Sequence, residues 1–338
     1  MKKTTAIFLI AIAFISGYYF SFIINKPEKV INPENKEVVE RPLDKYSIEN
    51  LTNSNIDSGT FKLTGKTTEN DGFKSSIFRY SYHPDLGSSV KNTSGLINWP
   101  ENNTSTGKFP IVVLIRGYVN QKTYISGMGT KNFGQYLAKN GYITVAPDFL
   151  GYAGSDPEAG NIFESRFQTY VTVISLIKSI EENKIPGWDG KNIFIWGHSN
   201  GGQIAITTLE ITGKGYPTVL WAPVSKPFPY SVLYYTDESD DQGKLIRSEL
   251  SKFESQYNTE NYSLTNYLEK ISAPVVIHQG SNDDAVPQVW SDSFVQKLKT
   301  LNKDIAYTIH YGADHNMNPE WNEAAKESLD FFNANRTD

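Results

Sequence analysis

The sequence predicts an α/β fold with a mostly parallel central sheet and helices on both faces. Three observations lead there. From residue 109 onward, apolar strand-like runs alternate with segments of helical period. Several runs, such as Phe109-Pro110-Ile111-Val112-Val113-Leu114-Ile115, are apolar without alternation, the pattern of strands covered on both faces. One run, Ile193-Phe194-Ile195-Trp196, passes through Gly197-His198-Ser199-Asn200-Gly201 straight into a helical stretch, leaving room only for a tight turn.

The elements follow in chain order. Residues 73–82 alternate loosely and predict an early antiparallel strand. Residues 92–107, rich in Asn, Ser, Thr and Gly, predict a loop. Strand 109–115 precedes a helix that includes 133–139 and stops at Gly141, where a left-handed residue suits a helix end. Strand 142–146 comes next. Helix 163–182 carries Phe167, Val171, Ile174, Ile177 and Ile180 on one stripe. Strand 191–196 and helix 203–211 flank the Ser199 turn, and strands follow at 218–222 and 274–279. Helix 289–301, strand 305–311 and helix 321–332 complete the chain. Strands joined through helices of this length imply parallel pairing with right-handed crossovers.

Residues 223–272 interrupt the rhythm with no strand of their own and contain Phe228, Tyr230, Tyr234, Tyr235, Phe253, Tyr257, Tyr262 and Tyr267. An insertion at the strand ends predicts a helical cap that shapes a binding site, with an apolar or aromatic pocket. A helical excursion that merely covers the sheet is the plainer alternative.

Length and charge bound the rest. With 338 residues, 39% of them hydrophobic, the chain can build one large core, so one domain over 46–338 fits better than two equal halves. The net charge of −5 and the lack of a basic run argue against a nucleic-acid partner. There is no cysteine, which excludes disulfides, thiol catalysis, Cys-based zinc sites and N-terminal lipoprotein anchoring. At the N-terminus, Lys2 and Lys3 precede an uncharged stretch over residues 4–24. Those 21 residues meet the roughly 20 needed to cross a bilayer. Residues 1–25 therefore predict a membrane anchor or signal segment. The missing small-x-small cleavage site at a suitable position favours an uncleaved anchor. The expected body is extracytoplasmic, or secreted or periplasmic if the segment is cleaved. Residues 26–45, polar and with Pro27, Pro33 and Pro42, predict a flexible linker.

The Gly-x-Ser-x-Gly turn is the chemical centre of the sequence. A serine held on a strained strand-to-helix turn, with glycines where side chains would collide, is a nucleophile elbow. A serine hydroxyl needs a base to take its proton and a carboxylate to orient that base. Two downstream segments offer them at strand ends. In the first, the run ending at Gly280 is followed by Ser281-Asn282-Asp283-Asp284, where either carboxylate qualifies. In the second, Gly312-Ala313-Asp314-His315 presents a histidine. The other histidines have plainer readings: His278 and His310 lie inside strands as packed side chains, His198 supports the elbow, and His83 has no partner motif.

With these motifs the chain resembles the α/β-hydrolase superfamily, in its dienelactone hydrolase and prolyl oligopeptidase-like branch, over roughly residues 73–334. The resemblance implies an α/β-hydrolase fold and a Ser-Asp-His triad. Gly280, Asp283, Val286 and Pro287 match the pattern Gly-x-x-Asp-x-x-Val-Pro, which places the acid at Asp283. Gly312, Ala313 and His315 match Gly-Ala-x-His, which places the base at His315. The turn Pro147-Asp148-Phe149-Leu150-Gly151 resembles one that shapes the site, so Asp148 is expected to be structural. The oxyanion hole needs two backbone N–H donors. One is Asn200, after the serine. By register the other is Tyr118, where the chain reads Arg116-Gly117 in place of the usual His-Gly.

The implied activity is cleavage of carboxylic esters through an acyl-enzyme on Ser199, on a small ester or short peptide, with no metal or cofactor and with membrane contact through the N-terminus. The alternatives are a prolyl oligopeptidase-like serine peptidase and a non-catalytic binding protein on the same scaffold. Residues 46–108 are too few for the β-propeller usual in such peptidases.

Overall fold

The computed structural model describes residues 40–101 and 107–337. The anchor or signal segment expected over 1–25, and the linker up to residue 39, lie outside the described residues. Among the described residues no helix is long and apolar enough to cross a membrane. One compact unit begins at Pro42. Leu43 is buried, its N–H donating to the Tyr257 hydroxyl and its carbonyl accepting from Tyr262.

Among the described residues ten strands form: β1 (Thr60–Leu63), β2 (Thr68–Asn70), β3 (Phe73–Tyr82), β4 (Lys91–Pro100), β5 (Phe109–Ile115), β6 (Ile143–Pro147), β7 (Trp188–His198), β8 (Thr218–Trp221), β9 (Val275–Gly280) and β10 (Ile305–His310). They form one sheet in the order β1-β3-β4-β6-β5-β7-β8-β9-β10, with β2 paired to β3. From β6 to β10 every pairing is parallel, and β1 to β4 add an antiparallel wing. The helices are α1 (Ile48–Asn53), α2 (Lys131–Lys139), α3 (Ile162–Glu181), α4 (Asn200–Thr212), α5 (Tyr230–Leu233), α6 (Lys244–Glu254), α7 (Gln288–Thr300) and α8 (Trp321–Ala334).

Two apolar layers sandwich the sheet. Phe133 and Leu137 of α2 and Ala324 and Phe332 of α8 pack with Val112, Phe194 and Trp196 on one face. Phe167 and Ile174 of α3, Leu209 of α4 and Phe294 of α7 pack with Ile111, Val113 and Ile195 on the other. Each fully buried aromatic or aliphatic side chain contributes roughly 1.5–3 kcal/mol. The helices after β5 and β7 leave to opposite faces, so the sheet has a switch point there. In open α/β sheets ligands bind at the strand C-termini flanking such a point.

One predicted loop is a strand. Residues 91–100 form β4, antiparallel to both β3 and β6. Their polar side chains find partners across the ladder. Asn92 accepts from Ser81, Ser94 donates to Asp148, and Asn98 donates to Thr144. Pairing on two sides outweighs the weak strand preference of Asn, Ser and Gly.

The insertion over 223–272 contains α5, α6 and 3₁₀ turns and no strand. Half of its aromatic residues are spent on the core. Phe228, Phe253, Tyr257 and Tyr262 are buried, and their rings meet Phe163 and Phe167 of α3 or one another at 4.7–6.1 Å. Their apolar surface is consumed in covering the sheet. Tyr230 and Tyr234 are exposed, and Tyr234 and Tyr235 meet Trp290, with the Tyr235 hydroxyl donating to the Ala285 carbonyl.

Candidate active site

β7 runs to His198, and α4 begins at Asn200, so Ser199 alone makes the turn. Its φ of 57° and ψ of −122° lie where a side chain is strained, a cost of order 1–3 kcal/mol that surrounding bonds must hold. Ser199 N–H donates to the Trp221 carbonyl at 2.9 Å, and its own carbonyl accepts from Gly202 and Val224 at 3.0 Å each. The Ser199 side chain makes no capping bond, which leaves the hydroxyl available.

The glycines are explained by close approach. A Cβ at Gly197 would stand 2.6 Å from the Gly201 carbonyl oxygen. At Gly201 it would overlap the Ile115 carbonyl, and at Gly202 it would stand 2.6 Å from Pro223. At Gly117 it would lie 2.8 Å from the Ser199 Cβ. The loop after β5 therefore passes directly over the serine, at the switch point.

His315 and Asp283 meet across two loops. The His315 Nδ1 lies 2.9 and 3.0 Å from the two carboxylate oxygens of Asp283. A carboxylate only accepts, so Nδ1 carries the proton and Nε2 keeps its lone pair. The Asp283 side chain is fully buried. It also accepts from the N–H groups of Ala285 and Val286 at 3.0 and 2.8 Å and from Gln279 at 3.1 Å. Asp284 is exposed. A Cβ at Gly280 would meet the Asp314 carbonyl at 2.5 Å, which is how the two loops come together.

His198 ties this loop to the elbow. Its Nε2 is 2.9 Å from the His315 carbonyl oxygen, so Nε2 is the protonated nitrogen. The two imidazole centroids are 4.6 Å apart, and Trp196 stacks with His198 at 6.0 Å. Burial of the ring, with the neighbouring His315 charge, pushes the His198 pKa down to about 4. The residue before the serine is thus neutral near pH 7. His278 and His310 are packed inside strands, as expected, and Asp314 caps its own turn by accepting from the N–H groups of Asn316 and Asn318.

Asn200 opens α4, so its N–H is among the helix-end donors without an intrahelical partner. Tyr118 follows the Gly117 contact and is 79% exposed, so its ring is not anchored in the core. Arg116 holds that loop. It is buried, donates to the Gly117 and Asp148 carbonyls, and sits 3.9 Å from the Tyr152 ring centroid. Asp148 is structural, as expected: its buried carboxylate accepts from Ser94, Tyr124 and Ser126.

Sequence reasoning missed Arg166, on α3. It donates to the Asn200 side-chain oxygen at 3.3 Å and to Gln203 at 3.0 Å. No local motif marks it, because the pairing spans two helices. Arg166, Asn200, Tyr118 and Arg116 line a cavity of about 190 Å³ with Phe149, Leu150 and Ile204. A larger cavity, about 730 Å³, touches the site only through His198 and Asn316. It runs behind them along Trp196, Trp221, Trp321 and Phe133.

The prolyl oligopeptidase family model matches residues 130–336, which hold the serine, acid and histidine segments. The chain belongs to the prolyl oligopeptidase family. Within it, the chain is 24% identical over 226 residues to dipeptidyl aminopeptidase BIII of Pseudoxanthomonas mexicana, covering 64% of this chain and 31% of that one. It is 25% identical over 206 residues to acetyl esterase Axe7A of Xylanibacter ruminicola, covering 55% and 45%. The chain thus spans less than half the length of these two curated relatives. The acetyl xylan esterase from Paenibacillus sp. R4 superposes with a TM-score of 0.60 at 17% identity, covering 86% of this family member and 93% of that chain. At that identity the likeness establishes the α/β-hydrolase fold.

Proposed function

We propose that this protein is a serine hydrolase that cleaves carboxylic esters. The observation that carries the reading is the Asp283–His315 pair at 2.9 Å, its loop bonded through His198 to the strained elbow that presents Ser199. In the proposed reaction His315 Nε2 takes the Ser199 hydroxyl proton while the serine oxygen attacks the ester carbonyl. The N–H groups of Asn200 and Tyr118 hold the developing oxyanion. The C–O bond to the alcohol breaks, His315 returns the proton to the leaving oxygen, and an acyl-Ser199 ester remains. Water, deprotonated by His315, repeats the sequence and frees the acid. Asp283 keeps Nδ1 protonated and supports the imidazolium throughout. None of these steps calls for a metal or cofactor.

The cavity beside Asn200 and Tyr118, about 190 Å³, is smaller than the roughly 300 Å³ at which drug-sized sites begin, which supports a short acyl group. The names of two similar proteins, an acetyl esterase and an acetyl xylan esterase, agree with it. A peptidase reading has its own support in the dipeptidyl aminopeptidase relative. Residues 60–100 here form β1 to β4 of the catalytic sheet.

Rates on p-nitrophenyl acetate, butyrate and octanoate, set beside aminoacyl p-nitroanilides, test the proposal. The acetate ester should be fastest, and Ser199→Ala should lower its turnover by about 10⁴-fold or more. A strong preference for anilides would transfer the protein to the peptidase class. Unchanged ester turnover in Ser199→Ala would remove the site assignment altogether. Membrane attachment through residues 1–25 remains part of the proposal, tested by fractionation of the full chain against one lacking that segment.

A further inference from the structure

Beneath the two loops of the active site, three potential metal ligands converge on the α8 side of the sheet. His278 lies on β9, His310 on the adjacent β10 and Glu327 on α8. Both imidazoles are buried, whereas the Glu327 side chain is 35% exposed and leaves a route from solvent. The His278 Nδ1 is 2.9 Å from the His310 Nε2, and the Glu327 Oε2 is 3.4 Å from the first and 3.9 Å from the second. A triangle with those sides has its centre about 2.0 Å from each corner, the length of a Zn–N or Zn–O bond. Two histidines and one carboxylate form a donor set that divalent transition metals take.

The hydrogen bonding points the same way. Only one proton can lie between the two facing imidazole nitrogens. Among the described residues the buried Glu327 Oε2 has no hydrogen-bond partner, and neither has the His278 Nε2. Buried oxygens left in this state call for an ion or a water. Ser328, beside Glu327, accepts from the buried Trp221 indole at 3.0 Å, a bond that fixes the register of α8 against the sheet.

We propose that His278, His310 and Glu327 bind one divalent transition-metal ion, with water in the remaining position, as a structural clamp. The clamp joins β9, β10 and α8 at the base of the loops that carry Asp283 and His315. The His310 carbonyl already accepts from the N–H groups of Ser281 and Ala313, one in each loop, so the ion would stiffen both. The ion takes no part in the acyl-transfer steps, and the proposal stands or falls apart from the esterase reading.

The test uses tag-free full-length protein, stripped with EDTA, dialysed and titrated with Zn²⁺ by calorimetry. One ion per chain should bind, with a rise in melting temperature. Glu327→Gln keeps the volume of a partly exposed side chain, so its melting temperature in EDTA should match that of the parent. Its Zn²⁺ affinity should fall at least about tenfold, as should that of His310→Asn. Co²⁺ loaded into the parent should give the ligand-field spectrum of an N/O site, and that spectrum should change in Glu327→Gln. Failure to bind at one-to-one stoichiometry, or equal binding by parent and Glu327→Gln, would overturn the clamp.

Discussion

The imidazole of His198 donates to the main-chain carbonyl of His315 at 2.9 Å, across 117 residues of sequence. The residue just before the elbow serine thereby holds the backbone of the proposed base in place. His198→Ala should lower kcat on p-nitrophenyl acetate by about 10- to 100-fold through misplacement of that base, with KM little changed. Steady-state kinetics on the purified variant decides it; an unchanged kcat would mean that the loop holds itself.

The same imidazole makes stability depend on pH. Its folded pKa is about 4, below the ordinary 6.5. Between those values the unfolded chain binds more protons. The His198 contribution is therefore complete above pH 6.5 and is lost as pH falls toward 4, at up to roughly 1.4 kcal/mol per pH unit. Melting temperatures measured from pH 7 to 4.5 should fall more steeply for the parent than for His198→Gln. Parallel curves would contradict the assignment.

Asp283 and Asp284 are neighbours with opposite surroundings, one enclosed under His315 and one in solvent. Asp283→Asn would put a donor against the Nδ1 proton and force the wrong tautomer. Turnover should fall by about 10⁴-fold, as it does when a triad aspartate is so changed. Asp284→Asn should change turnover less than twofold, by analogy with ordinary surface substitutions of roughly 0.5 kcal/mol or less. A larger loss in Asp284→Asn than in Asp283→Asn would reverse the roles.

Glu210, on α4, is fully buried with neither carboxylate oxygen hydrogen-bonded. Burial, with Glu269 nearby, holds its pKa well above the ordinary value of 4.5. Its folded form thus resists ionisation, and stability falls as pH rises beyond 4.5. Glu210→Met should stabilise the protein at pH 7 by roughly 1–3 kcal/mol, or about 2–4 °C in melting temperature for each kcal/mol. The gain should shrink toward pH 4.5. Calorimetric melts at both pH values check it, and a destabilised variant would show that the carboxyl has a partner.

The parallel half of the fold was legible because its strands are continuous apolar runs set apart by helical periods. The elbow was legible because glycines are required on both sides of Ser199, by the contact of Gly197 with Gly201 and by those of Gly201 and Gly202 with Ile115 and Pro223. Asp283 and His315 were placed by a family motif, and the structure brings their side chains together. β4 escaped because Asn92, Ser94 and Asn98 look like loop residues until their partners on other elements are known. Arg166 and the His278–His310–Glu327 group escaped for a related reason: each depends on side chains far apart in sequence meeting across packed elements. The insertion stayed ambiguous because aromatic content does not say which face the rings turn to.

The bonds from Leu43 to Tyr257 and Tyr262 span 214 and 219 positions. The ribosome must therefore complete most of the chain before Leu43 finds these two partners. Tyr46 has its partners at Pro84, Glu164, Phe167 and Gln168, which are made sooner, so residues 42–56 can dock in stages. The docking of Leu43 itself is a late event, completed only once the insertion over 223–272 has been made.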